Sequence, residues 1–160
     1  VTAIDNVSDY WPESMFKRNF YVIDDDILDT KIESRFDMIF CISTLEHISN
    51  AELAVKNMAS LLNPGAFLVL TFPSARGDYV KNCYELPDSS YGKGNPYITQ
   101  SFSSAQVEEW KDKFALTEIQ SEYWRYWTGP YWTCGTQLLP PEHVDRQGDY
   151  DLRCICLQSR

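Results

Sequence analysis

FDMIFCISTLEHI at residues 36–48 and NPGAFLVLTFP at residues 63–73, with an amphipathic segment between them, decide the fold of this chain. Phe36–Ile42 is a nearly continuous apolar run with one acid, Asp37, near its start. A run without polar alternation suits a strand buried on both faces, as in a parallel sheet covered by helices. Ser49 and Glu52 then have the S-x-x-E spacing of a capping box. Leu53, Ala54, Val55, Met58, Leu61 and Leu62 follow at the helical period and make one apolar face. Asn63-Pro64-Gly65 ends that helix, because Pro cannot continue it and Gly tolerates a reversed backbone. Residues 66–72 read as a second buried strand. Strand, helix and parallel strand in succession make the class α/β.

These residues carry a resemblance. The segment is similar to the second half of the class I, Rossmann-like S-adenosylmethionine-dependent methyltransferases. That family writes its strand as F-D-x-I, follows it with L-E-H-[IV] and a helix, and then with L-x-P-G-G. The counterparts are Phe36-Asp37-Met38-Ile39, Leu45-Glu46-His47-Ile48 and Leu61-Leu62-Asn63-Pro64-Gly65, with Ala66 where the second Gly would stand. The match is most specific over residues 1–73. It implies a Rossmann-like sheet with helices on both faces, closed by an antiparallel strand pair. It also implies S-adenosylmethionine as methyl donor and S-adenosylhomocysteine as product.

The resemblance assigns site residues. VTAID at residues 1–5 resembles the end of the family's second strand, where an acid takes hydrogen bonds from both ribose hydroxyls; Asp5 stands there. FYVID at residues 20–24 is the next strand, and the turn after it resembles the family's adenine-binding turn. Asp26 would accept from the adenine amino group, and the Ile27 N–H would meet a ring nitrogen. Asp24, Asp25 and Asp26 could instead form a divalent-metal cluster, but neighbouring strand residues point to opposite faces and rarely converge on one ion. A solvated acidic turn is the other alternative, and no metal site is expected. Ligands in open α/β sheets sit beyond the carboxyl ends of the strands, so Ile42, Ser43 and Thr44 are placed to line the methionine end of the cofactor. His47 follows, with an imidazole whose ordinary pKa of ~6.5 lets it take a proton from a substrate hydroxyl or amine. The bland reading makes His47 a structural residue closing the loop.

Composition narrows the partners. The chain has 160 residues, one domain's worth, and 44% of them are hydrophobic, enough for a core rather than a disordered chain. No apolar stretch approaches the ~20 residues needed to cross a bilayer. A net charge of −9 without a Lys/Arg cluster disfavours nucleic acid, leaving a small-molecule or saccharide acceptor. Five cysteines without a repeated close spacing read as reduced small hydrophobes in a cytoplasmic protein.

Elsewhere, residues 8–16 hold Pro12 at a short helix start, and residues 74–101 are loop-like. Gly92 and Gly94 make no dinucleotide fingerprint, because no strand runs into them. Tyr79, Tyr84, Tyr91 and Tyr97 are placed to pack down or line a substrate lid. Ser103 and Gln106 form a capping box for a helix burying Val107, Trp110 and Phe114. Residues 116–124 and 151–158 read as the closing antiparallel pair, with Leu152, Cys154, Cys156 and Gln158 on one face. Six aromatics crowd residues 123–132, suiting structural packing or a homo-oligomer interface, with a substrate platform as the competing use.

The family's glycine loop precedes its second strand. The resemblance therefore implies a single, N-terminally incomplete methyltransferase domain over residues 1–160, or a rearranged sheet. Two other functions stay open: an inactive fragment or binding module that does not hold cofactor alone, and a nicotinamide-dependent oxidoreductase, which shares the acid after the second strand.

Overall fold

A computed structural model describes residues 1–5 and 21–160; the helix start expected at residues 8–16, and Phe20 of the second strand, lie outside the described residues. Strand β1 is Thr2–Asp5 and β2 is Tyr21–Asp24. The decisive stretch gives β3 at Phe36–Ile42, a 3-10 turn at Leu45–His47, helix α1 at Ala51–Ser60 and β4 at Leu62–Ala75. A second 3-10 turn at Cys83–Glu85 and the short β5, Phe102–Ser103, lead to α2 at Ser104–Lys113. Three strands finish the chain: β6 Leu116–Trp127, β7 Gln137–Val144 and β8 Leu152–Ser159.

The strand–helix–strand crossover forms as expected, with corrections of detail. β3 and β4 pair in parallel, Ile39 opposite Leu68 and Cys41 opposite Leu70. Helix α1 buries Ala51, Ala54, Val55 and Met58. Its N-cap is Asn50, whose side chain accepts from the Leu53 N–H at 3.2 Å, so the Ser49/Glu52 box does not form. Asn caps as well as Ser does, and Glu52 is turned to an ion pair with Lys113 at 3.0 Å. The second correction concerns Asn63-Pro64-Gly65, which lies inside β4 rather than before it. The strand starts at Leu62 opposite Phe36, and the register shifts between Phe36 and Met38 to take up the extra residues. By contrast, the Ser103/Gln106 capping box on α2 forms as read.

The larger sheet runs β3-β4-β8-β6-β7, with β5 beside the end of β4; β1 and β2 form a separate parallel pair. β8 is antiparallel to both β4 and β6, the closing pair foreseen in the sequence. β7 was not legible, since Pro140 and Pro141 lack N–H donors. Such residues survive only at a sheet edge, where β7 lies. Leu68, Leu70, Phe72, Ile155 and Leu157 face α1 and α2 and form one core with Phe102, Val107, Trp110 and Leu116. Each large apolar side chain fully buried there contributes about 1.5–3 kcal/mol. The opposite face is barer, which corrects the reading of Phe36–Ile42 as a strand buried on both faces: Met38, Phe40 and Ile42 stay 47%, 63% and 51% exposed.

None of the six aromatics of residues 123–132 is exposed. Tyr123 packs on Tyr150 with centroids 4.7 Å apart, and Tyr126 and Trp127 close on Trp132 at 5.3 and 6.3 Å. The stretch is used inside the molecule, around a turn stitched to the long loop. Ser90 N–H donates to the Thr133 carbonyl at 2.8 Å, and Gly135 N–H to that of Asp88 at 3.1 Å. Among the loop tyrosines, Tyr84 is buried and Tyr91 and Tyr97 ride on its edges.

Candidate active site at the carboxyl edge of the sheet

Parallel strands end on the same side, so β1, β2 and β3 each deliver a turn to one edge of its sheet. Asp5 closes β1 directly opposite Asp24 of β2, and the Asp25 N–H donates to the Asp5 carbonyl at 3.2 Å. The acidic turn is a built loop. The Asp25 carboxylate accepts from the Thr30 hydroxyl and the Lys31 N–H, while Asp26 Oδ1 accepts from the Leu28 N–H at 2.8 Å. Asp26 itself is exposed and Ile27 half-buried. Asn57 of α1 donates to the Ile27 carbonyl at 2.7 Å, which ties this turn to the β3–α1 unit. Among the described residues no ladder hydrogen bonds join β1 to β3.

At the end of β3, Ile42, Ser43 and Thr44 are all exposed. Ser43 has φ 47°, a left-handed conformation that a non-glycine residue rarely adopts and that clusters at functional turns. Thr71 of β4 holds it there: the Ser43 N–H donates to the Thr71 carbonyl at 3.0 Å and hydroxyl at 2.9 Å. Thr44 turns its hydroxyl back onto the Ile42 carbonyl at 3.0 Å.

His47 is exposed, and its Nδ1 lies 2.6 Å from the Ile98 carbonyl oxygen. A carbonyl only accepts, so Nδ1 is the donor, and in the neutral ring Nε2 is the nitrogen with the lone pair. The ring is braced edge-on by Tyr97, centroids 5.0 Å apart. Beside it Glu46 is buried, its Oε1 4.0 Å from His47 Nε2 and its Oε2 without a hydrogen-bond partner. Burial pushes the Glu46 carboxyl up from the ordinary carboxylate range, with the neighbouring His47 working the other way. Burial and then the negative charge of Glu46 push the Cys41 thiol up to about 11, so it stays protonated and unreactive at neutral pH.

Gln100 clamps this turn. Its backbone N–H donates to the Glu46 carbonyl at 3.0 Å, and its side chain to the Ile48 carbonyl at 2.7 Å. Sequence reasoning missed Gln100 and Ile98, loop residues that close on a turn about fifty positions away, and Thr71, a β4 residue 28 positions beyond Ser43, because nothing local marks such partners. The expected site residues thus fall into two groups on strand ends: Asp5 with Asp26 and Ile27, and Ile42, Ser43 and Thr44 with His47.

A family model described as a methyltransferase domain matches residues 5–133. A ubiquinone biosynthesis O-methyltransferase of Coxiella burnetii is 26% identical over 120 residues, covering 72% of this chain and 50% of that protein. The chain therefore spans about half the length of the curated relatives it matches. A methyltransferase from Thermotoga maritima superposes with a TM-score of 0.63 at 15% identity, covering 98% of this chain and 72% of that one. The Burkholderia thailandensis 1,6-didemethyltoxoflavin-N1-methyltransferase, bound to its acceptor and S-adenosylhomocysteine, gives 0.61 at 12% identity, covering 99% and 60%. These superpositions show the Rossmann-like methyltransferase fold, and among the described residues no helix is long and apolar enough to cross a membrane. With a family model spanning most of its length, the chain belongs to the methyltransferase-domain family.

Proposed function

We propose that this chain carries the cofactor-rim and acceptor half of an S-adenosylmethionine-dependent methyltransferase acting on a small molecule or saccharide, at oxygen or nitrogen, in the cytoplasm. The observation that supports the reading is the pairing of Asp5 with Asp24 in register, so that the end of β1 and the strand leading into the Asp26–Ile27 turn lie side by side. Adjacent strands lie ~4.8 Å apart, a spacing that suits the ribose and base of one nucleoside. When bound, S-adenosylmethionine supplies an electrophilic methyl group on a positively charged sulfur.

The residues of the chain do the remaining tasks. Asp5 accepts from the ribose hydroxyls, and Asp26 and Ile27 meet the adenine edge. Ile42, Ser43 and Thr44 line the methionine end through the turn that Thr71 fixes. His47 accepts the acceptor's proton at Nε2, the nitrogen that the Ile98 contact leaves unprotonated. Catalysis is then chiefly a matter of holding donor and acceptor in line.

One observation favours a weaker second reading, a module that does not hold cofactor alone: among the described residues β1 and β2 are not laddered to the larger sheet. Calorimetric titration of the chain with S-adenosylhomocysteine tests both. Saturable heat supports the methyltransferase reading; the absence of heat and of any thermal shift supports the module. The family match speaks against a nicotinamide-dependent oxidoreductase.

A further inference from the structure

The geometry points to a second subsite, a cleft that binds the anionic group of the acceptor between Arg76 and Arg125; the inference rests on the methyl-transfer reading above. A cavity of about 340 Å³ opens between Arg76, Gly77, Arg125, Thr128, Asp149 and Tyr150. That is the size of a small-metabolite pocket. Arg76 lies one residue beyond β4, Arg125 and Thr128 close β6, and Asp149 and Tyr150 lead into β8. Because β4 and β6 run the same way as β3, all of these residues lie on the edge that carries Ser43 and His47.

Charge and hydrogen bonding say what the cleft takes. The chain is strongly acidic, yet two guanidiniums border this one cavity, and neither is in an ion pair among the described residues. Arg76 donates to the Gln147 carbonyl, and Arg125 to the carbonyls of Trp127 at 3.2 Å and Thr128 at 3.0 Å. These neutral partners fix the side chains while leaving most of their five N–H donors uncommitted, and only Arg125 shares its charge with a nearby carboxylate, that of Asp151. Asp151, the buried carboxylate near Arg125, is already engaged by the Tyr126 and Trp127 N–H groups at 3.0 and 2.7 Å. Asp149 is exposed at the rim and gives the cleft one hydrogen-bond acceptor, suited to a hydroxyl or amine beside the anion. Gly77 lets this wall pack closely on Tyr131, since a Cβ there would fall 2.6 Å from the Tyr131 hydroxyl.

A planar guanidinium pair matches a carboxylate or a phosphate. The cleft lies one to three strand spacings from β3, about 5–14 Å. The acceptor is therefore a small hydroxylated or aminated molecule whose acidic group is remote from the atom that is methylated.

The test is calorimetric titration of the 160-residue chain, at low ionic strength, with glucose 6-phosphate, glucuronate and glucose. At least one charged sugar should bind tenfold or more tightly than glucose, and the two charged arms tell phosphate from carboxylate. Arg76→Gln, which gives up one hydrogen bond to a carbonyl, should weaken the charged sugar at least tenfold. Arg125→Lys should do the same by losing the planar fork while keeping the charge. No binding by either charged sugar, equal affinity for glucose, or unchanged affinity in Arg76→Gln would overturn the inference. S-adenosylhomocysteine binding should be unaltered in both variants. Its loss in the unsubstituted chain would count against the cofactor rim and leave the cleft result standing.

Discussion

Nη2 of Arg153 lies 3.0 Å from Oε2 of Glu118, with Arg153 fully buried in the sheet. Ser121 bonds both side chains, Lys111 reaches Glu118 at 2.9 Å, and the guanidinium sits over the Tyr123 ring at 5.3 Å. A buried cation is tolerable only while its partner stays ionised. Burial works to raise the Glu118 carboxyl, but the hydrogen bonds of Lys111 and Ser121 and the charge of Arg153 outweigh it and hold it at about 2.

Glu118→Leu should therefore cost roughly 3–5 kcal/mol, the usual cost of stranding a buried charge, and Glu118→Leu with Arg153→Met should cost less than the single change. Urea unfolding of the set is the measurement. A double variant less stable than the single one would contradict this account.

The same depressed pKa gives a pH window. The Glu118 contribution is present in full above the ordinary carboxylate range and is lost as pH falls through about 2. Asp151 has the opposite sign. Burial pushes it up to about 6, against the pull of the Tyr126 and Trp127 N–H groups and Arg125. A folded state that holds its proton more tightly than the unfolded chain is favoured below the ordinary value and loses that advantage as pH climbs through 6. From pH 4 to 7 the loss is about 2 kcal/mol. Asp151→Asn should flatten the stability profile over that interval and leave the acid limb near pH 2 to Glu118.

Asn50→Ala should remove about 1 kcal/mol from α1, whereas Ser49→Ala should change stability by less than ~0.5 kcal/mol. Thermal melts of the two variants separate the caps directly. Equal losses would restore the Ser49 box.

Asp5→Ala should weaken S-adenosylhomocysteine binding by about 1–3 kcal/mol, the loss of charge-assisted hydrogen bonds to the ribose. Affinity unchanged in calorimetry would remove Asp5 from the rim.

His47→Gln should lower methyl-transfer turnover by about 10²–10⁴-fold with little change in KM. Its residual rate should rise with pH, because the acceptor must then shed its own proton. A flat pH profile with a normal turnover would leave His47 only the structural task of closing on Ile98.

The parts legible in the sequence were those with local period. Phe36–Ile42 and the helix after it announce themselves by unbroken and 3.6-spaced apolarity, and Leu152–Ser159 by alternation that the structure reproduces residue by residue. Two adjacent good caps, Ser49 and Asn50, differ by one position, and pattern alone cannot choose between them. Paired prolines hid β7. The end of β6 was hidden where its register shifts between Arg125 and Trp127, which breaks the alternation just as the aromatics crowd in. Arg76 and Arg125 line one cleft only because β4 and β6 end on one edge. Nothing in either one's neighbourhood foretells the other. The rim acids were readable through family resemblance alone, since a single Asp after a strand carries little information.

The bare side of the larger sheet, where Met38, Phe40 and Ile42 stand open, gives the chain's acidity a colloidal role. An uncovered apolar surface invites sticking between molecules, and the charge of −9 holds them apart by mutual repulsion. That repulsion fades with added salt, whose screening length is ~10 Å at 0.1 M and ~3 Å at 1 M. Light scattering should accordingly rise with ionic strength, and Phe40→Ser should suppress the rise.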